Sequence, residues 1–229
     1  MKPIQLHGLE ENISYSFQDK DLLLLAMTHS SFANESKGKQ RKSNERLEFL
    51  GDAVLEITVS DHLFSNYPDY DEGKMTKTRS SMVCEFTLAS CARDIRLGDF
   101  LFLSHGEEIT GGRERDSILS DAFEALIGAI YVDGGMEEAS RFIHNYLLKD
   151  IGDRTLFYDA KSILQEMVQA SDLGSLRYRL IGESGPDHDK EFAVETLIGD
   201  KVYAQGKGRT KKSAEQMAAY QTILLLKNQ

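Results

Sequence analysis

Short apolar runs broken by polar stretches fill the first 150 residues, and their spacing is helical. Residues 22–27 form one such run. It opens after Asp19-Lys20-Asp21, where a carboxylate suits a helix N-terminus. Residues 32–43 are polar and rich in Lys, Ser and Asn, the composition of a loop. A long helix is expected from Asn44 to about Asn66, stopping ahead of Pro68, because the residue before a proline disfavours helix. Residues 74–96 predict one or two further helices, and 106–112 a loop. Residues 117–132 predict a nearly all-apolar helix stopped at Asp133-Gly134-Gly135, and 137–148 an amphipathic one. No strand pattern of any length occurs before residue 150.

Further on the period changes. Residues 159–170 are helical, 177–181, 191–197 and 201–204 have strand character between Gly-rich turns, and 211–226 are helical again. The expected organisation is a helical domain over 1–150, a linker over 151–157 and a small α+β domain over 158–229.

The candidate chemistry lies on two of these helices. Glu45, Glu48 and Asp52 stand at i, i+3 and i+7, so they share one helical face, while Leu47, Leu50 and Val54 point toward a core. Asp121 and Glu124 are again i, i+3, within the apolar second helix. One acidic triplet alone is ordinarily a solvated face. A second acidic pair among apolar neighbours changes that reading, because buried charges need partners. Crowded carboxylates repel one another unless a cation joins them. Hard oxygen donors with no His or Cys nearby suit Mg²⁺, with Mn²⁺ able to substitute. The pattern predicts a metal-dependent hydrolase.

Residues 44–56 (NERLEFLGDAVLE) and 120–135 (SDAFEALIGAIYVDGG) together resemble ribonuclease III, the endonuclease of double-stranded RNA. Thr28-His29-Ser30-Ser31 and Gly111-Gly112-Arg113 extend the likeness. In the second domain, residues 185–192 (GPDHDKEF) and 208–216 (GRTKKSAEQ) resemble the loop and the lysine-rich helix start of the double-stranded RNA-binding domain. The resemblance covers nearly the whole chain. It implies an all-α endonuclease domain followed by a small α+β domain of α-β-β-β-α order.

The same resemblance implies roles. Glu48, Asp121 and Glu124 match metal ligands, Asp52 and Glu124 the paired catalytic acids, and Glu45 and Glu72 acidic positions of lesser weight. Phe49 matches an apolar residue at the family's dimer contact, although a core position is the plainer explanation of such a residue. Ser162, Gln165, Glu166 and Gln169 match the face of the first helix that touches the RNA minor groove. His188 and Lys190 match the loop reaching the next minor groove, and Arg209, Lys211 and Lys212 the phosphate-binding helix start. The implied enzyme is a homodimer that cuts both strands of ribosomal RNA precursors and structured messenger RNAs, leaving 5′-phosphate and 3′-hydroxyl ends. One departure is Glu114, where the family often has another arginine beside Arg113 and Arg115.

Composition qualifies this picture. The net charge of −10 is unusual for a nucleic-acid binder. It is unevenly spread: residues 1–156 carry 17 Lys and Arg against 27 Asp and Glu, whereas 157–229 carry 10 of each. The excess therefore falls in the half that would hold cations. Cys84 and Cys91 form no CxxC or Cys/His cluster and are expected to be buried thiols in a reducing compartment. A basic start followed by an apolar segment is lacking at the N-terminus, so a soluble cytoplasmic protein with no membrane partner is expected. The six histidines show no pairing that suggests metal-free acid–base cleavage, and His29 reads as structural. A non-catalytic RNA-binding or ribosome-associated protein is the alternative; its mark would be loss of a carboxylate at 48, 52, 121 or 124, and all four are present. A helical phosphohydrolase of small substrates would leave the second domain unexplained.

Overall fold

The computed structural model describes residues 6–35, 42–150, 157, 160–171, 173–185, 190–208 and 210–227. The chain divides into two compact units, Met1–Ile151 and Gly152–Gln229. Unit one comprises α1 (His7–Ile13), α2 (Lys20–Ala26), α3 (Ser30–Glu35), α4 (Glu45–Asn66), α5 (Glu72–Met82), α6 (Glu85–Asp94), α7 (His105–Ile109) and α8 (Asp116–Tyr146). Side chains start several of these helices. Asp19 accepts from the Asp21 amide, and Asp71 from the Lys74 amide at 2.7 Å. Ser104 likewise accepts from the Glu107 amide.

The centre of the unit is the packing of α4 against α8. Leu47, Val54, Leu55, Val59 and Leu63 of α4 are buried with Phe123, Leu126, Ile127 and Ile130 of α8. The crossing point is glycine on both sides. A methyl group at Gly51 would overlap the Glu124 carbonyl oxygen, and one at Gly128 would overlap the Leu47 carbonyl oxygen. Backbone therefore meets backbone, closer than side chains permit.

Helix α8 is interrupted at Gly135 (φ 80°, ψ −175°), a conformation that only glycine adopts readily. The chain then doubles back, so that the Phe142 ring packs on Phe123 with centroids 5.3 Å apart. Just before the break, Asp133 Oδ2 accepts from the Tyr15 hydroxyl at 2.7 Å and the Gln18 amide at 2.9 Å. Its Oδ1 accepts from the Asp19 amide at 2.9 Å. This one carboxylate gathers the segment that leads into α2.

Several expectations need correcting. Residues 30–35 are helical, where a loop was expected from residue 32, because Ala33 is buried and the His29 carbonyl accepts the Phe32 and Ala33 amides. The remainder of that stretch, 36–41, lies outside the described residues. The 106–112 region contains a short helix, α7, started by the Ser104 cap despite its glycine. Leu50 is only half-buried, and Cys84, at the start of α6, is half-buried while Cys91 is buried. Among the described residues, unit one contains no strand beyond an isolated bridge between Thr28 and Phe102.

Unit two has the order α9 (Ala160–Ala170), β1 (Leu176–Ser184), β2 (Glu191–Ile198), β3 (Lys201–Gly208) and α10 (Lys211–Lys227). The strands form an antiparallel β1-β2-β3 sheet, with Tyr178 opposite Thr196 and Val194 opposite Gly206. Strands β1 and β3 are longer than expected; β1 continues past an irregularity between Leu180 and Gly182. Leu164 and Val168 of α9 pack with Ala219 and Ile223 of α10 and Ile198 of β2. This core is small but self-contained. No helix among the described residues is long and apolar enough to cross a membrane.

Candidate active site and RNA-binding surface

The glycine crossing determines where the acids stand. Glu48 and Asp52 flank Gly51 on α4, while Asp121 and Glu124 precede Gly128 on α8, so the four carboxyl groups lie across the same closely packed helix pair. Asp52 is exposed, and Glu48, Asp121 and Glu124 are half-buried. Burial, with repulsion from neighbouring carboxyl groups added, raises Glu124 and Glu48. Burial, reinforced by Asp52, Asp121 and Glu48, pushes the Glu124 carboxyl up to about 8. Glu48 is raised by burial, then by Asp121, Glu45 and Asp52. Asp121 is raised by burial, against the Ser120 hydroxyl 3.4 Å away and the opposing influence of His29.

These groups suit a hard divalent cation. Carboxylates that resist ionisation in its absence gain most from a positive charge among them. Among the described residues no three His, Cys, Asp or Glu side chains converge tightly enough to enclose an ion. An ion that keeps several waters and shares substrate phosphate oxygens would need no closed cage of protein ligands.

Of the secondary acids, Glu45 adjoins the cluster, bearing on Glu48, and accepts from the Ser43 hydroxyl at 2.7 Å. Glu72 is not brought to the cluster within one copy of the chain. It starts α5, accepts from the Thr76 hydroxyl at 3.0 Å and borders a cleft of about 330 Å³ with Phe64, Met75 and Arg79. Phe49 is 80% exposed, which rules out the core explanation. Ile57 and Phe64, eight and fifteen residues on, continue an exposed apolar stripe along α4.

The arginines of the 111–115 segment serve the fold. Arg113 Nη1 donates to the Gly98 and Leu101 carbonyls, both at 2.8 Å, and its Nε to Glu108 at 3.0 Å. Arg115 pairs with Glu107 and reaches the Thr110 hydroxyl. The basic run seen in the sequence is therefore tied into unit one by acids and carbonyls.

Sequence reasoning passed over three contributors. Gly51 and Gly128 were signalled by glycine inside otherwise helical runs, a sign of close approach. His29 receives a 2.8 Å contact from Ser31 and electrostatically influences Asp121, a proximity that nothing in its local sequence betrays.

In unit two, Ser162, Gln165, Glu166 and Gln169 are all exposed on α9, opposite buried Leu164 and Val168. Lys211 and Lys212 stand exposed at the start of α10, with Lys211 Nζ 5.8 Å from the Phe192 ring centre. Lys190 pairs with Glu183 at 2.8 Å. His188 and Arg209 lie outside the described residues.

Residues 19–151 match the family model for ribonuclease-III-like domains, and residues 160–226 that of the double-stranded RNA binding motif. A helical nuclease unit joined to such a module defines an endoribonuclease of double-stranded RNA. Ribonuclease 3 of Caldanaerobacter subterraneus is 50% identical over 219 residues, spanning 94% of this chain and 95% of its own. Ribonuclease 3 of Oceanobacillus iheyensis is 46% identical across 98% of this chain and all of its own length. The crystal structure of the nuclease domain of the Campylobacter jejuni enzyme, 44% identical, aligns with a TM-score of 0.58 over 66% of this chain and 97% of that one. The chain belongs to the ribonuclease III family.

Proposed function

We propose that cleavage depends on a divalent cation, Mg²⁺ with Mn²⁺ as a substitute, bound by Glu48, Asp121 and Glu124 and positioned with the help of Asp52. The observation that carries this reading is Glu124, half-buried and raised to about 8 by burial and then by four neighbouring carboxyl groups, Asp52, Asp121, Glu48 and Glu56. When bound, such an ion lowers the pKa of a water and offsets charge on the phosphoryl oxygens. The protein residues supply the rest. Asp52, exposed at the rim of the cluster, is placed to orient the attacking water, and Glu124 gives up its proton as the site charges. In-line attack by water leaves 5′-phosphate and 3′-hydroxyl ends.

Capture of the duplex falls to unit two. The major groove of A-form RNA is too narrow for side chains, so recognition is by shape. The exposed face of α9 suits a minor groove, while Lys211 and Lys212 suit phosphates. His188, Lys190 and Arg209 belong to the same proposed surface.

A duplex has two antiparallel strands, and a homodimer with C2 symmetry presents one cluster to each. Exposed Phe49, continued by Ile57 and Phe64, supplies apolar surface for that contact. A second Campylobacter jejuni nuclease-domain structure, 44% identical with a TM-score of 0.57, is described as flexible in a region involved in dimer formation. Ribosomal RNA precursors and structured messenger RNAs in the cytoplasm are the proposed substrates. The deciding test is Glu124→Ala. The variant should lose cleavage of a labelled duplex in Mg²⁺ by several orders of magnitude while binding it nearly as well as wild type. Near-normal cleavage would show that the site is misassigned.

A further inference from the structure

The reversal of α8 at Gly135 brings its last turn beside the second half of α4. There His62 of α4 and His144 of α8 meet with ring centroids 5.3 Å apart and planes inclined at 70°. His144 Nδ1 lies 2.8 Å from the Ser140 carbonyl oxygen. A carbonyl can only accept, so this nitrogen carries the proton and Nε2 keeps its lone pair. His62 is half-buried, and burial followed by His144 lowers its pKa, which favours the neutral, ligating form of imidazole. Asn66 Nδ2 is committed to the His62 carbonyl at 2.9 Å and only 3.4 Å from Nδ1, so the ring can exchange tautomers at small cost.

We propose that His62 and His144 form a binding site for a divalent transition ion of imidazole preference, Zn²⁺ being the type case, which ties α4 to the returning limb of α8. Two imidazoles on one tetrahedral ion, with bonds of about 2.0–2.1 Å, place their ring centroids about 5 Å apart. The observed 5.3 Å matches that spacing, and the rings turn out of their 70° edge-on contact to aim both lone pairs at the ion. The hydrogen bond from His144 Nδ1 to a backbone carbonyl is the outer support that ligating histidines ordinarily have. Asp61 stands beside His62, and the net charge of −10 draws cations. Among the described residues no third His, Cys, Asp or Glu joins the pair, so water completes the coordination and binding is weaker than at a closed four-ligand site.

This site is separate from the carboxylate cluster. His62 is ten residues beyond Asp52, about 15 Å along the helix. The donors also differ: nitrogen here selects zinc-like ions, and oxygen there selects Mg²⁺.

The test uses the full, tag-free protein in saturating Mg²⁺, with Cu²⁺ as a spectroscopic probe and Zn²⁺ as a stabiliser. One equivalent of Cu²⁺ should bind with hyperfine structure from two imidazole nitrogens. His62→Gln and His144→Gln should each weaken binding roughly tenfold or more, while His105→Gln leaves it unchanged. Zn²⁺ should raise the melting temperature of wild type and not of His144→Gln. Circular dichroism of the variants checks their folding, and His144 is exposed enough to be replaced without disturbing the core. Binding unchanged in both variants, a single-nitrogen signal, or loss of the site in Glu124→Gln would overturn the proposal.

Discussion

Replacing Glu124 by glutamine should stabilise the metal-free protein, and only at neutral to alkaline pH. An unfolded chain releases the Glu124 proton near the ordinary glutamate value of 4.5, whereas the folded chain holds it until about 8. Between those values the folded state binds a proton that the unfolded state lacks, so stability falls as pH rises and levels off above the folded pKa. At about 1.4 kcal/mol per pH unit, the interval sets a ceiling of about 5 kcal/mol. Neighbouring carboxyl groups share the proton and water reaches the cluster, so an observable cost of roughly 2–3 kcal/mol is expected. Glutamine keeps the shape without the charge. In EDTA at about pH 8.5, its melting temperature should exceed that of wild type by roughly 5–10 °C, at about 2–4 °C per kcal/mol. At about pH 4, where the folded and unfolded chains both hold the proton, the gap should nearly close. Calorimetry of both proteins at both pH values reads this directly. Equal melting temperatures at the higher pH, or the same gap at both, would refute the picture of strained carboxylates.

Adding Mg²⁺ at the higher pH should raise the melting temperature of wild type and leave Glu124→Gln nearly unmoved, a comparison read in the same calorimeter. Gly51→Ala must push α4 from α8 to relieve its overlap with the Glu124 carbonyl, costing about 1–3 kcal/mol; denaturant titration should show that loss, with duplex cleavage falling further than folding alone explains. Replacing both Lys211 and Lys212 by alanine should weaken duplex binding evenly across sequences and flatten its salt dependence by roughly two counterions, as measured by filter binding over a salt series. A heterodimer of one wild-type and one Glu124→Ala subunit should nick a single strand, so double-strand cutting on a native gel, or an active monomer in sedimentation, would count against the dimer.

The order of elements was readable because both units are built on strong periodicity: the apolar faces of α4 and α8, and the short strands between Gly-rich turns. The acids were readable for a related reason, since i, i+3 spacing within a helix survives any tertiary arrangement. What escaped depended on distance across the fold. Gly51 and Gly128 acquire their meaning only against each other, 77 residues apart. The roles of Arg113 and Arg115 were hidden because the carbonyls of Gly98 and Leu101 and the side chain of Glu107 cannot be placed from sequence. Phe49 could be core or surface until α4 was rotated into place, and its exposure then decided the matter. Residues 32–35 were mistaken for loop because a six-residue helix carries too little periodicity to outweigh its polarity.

The clamp at Asp133 changes how a mutational screen of this enzyme should be read. Asp133 sits in the same acidic stretch as Asp121 and Glu124, and a substitution at any of the three would score as inactive in a plate assay. Their defects would differ in kind. An asparagine at 133 keeps one acceptor oxygen where the carboxylate uses two, so the Tyr15–Asp19 segment loses part of its anchorage. Its alleles should be temperature-sensitive, poorly accumulated and recoverable by stabilising second-site changes or growth in the cold. Alleles at Glu124 should accumulate normally and resist every such suppressor. Suppressibility would thus sort the acids of one motif into those that hold the chain and those proposed to act on RNA.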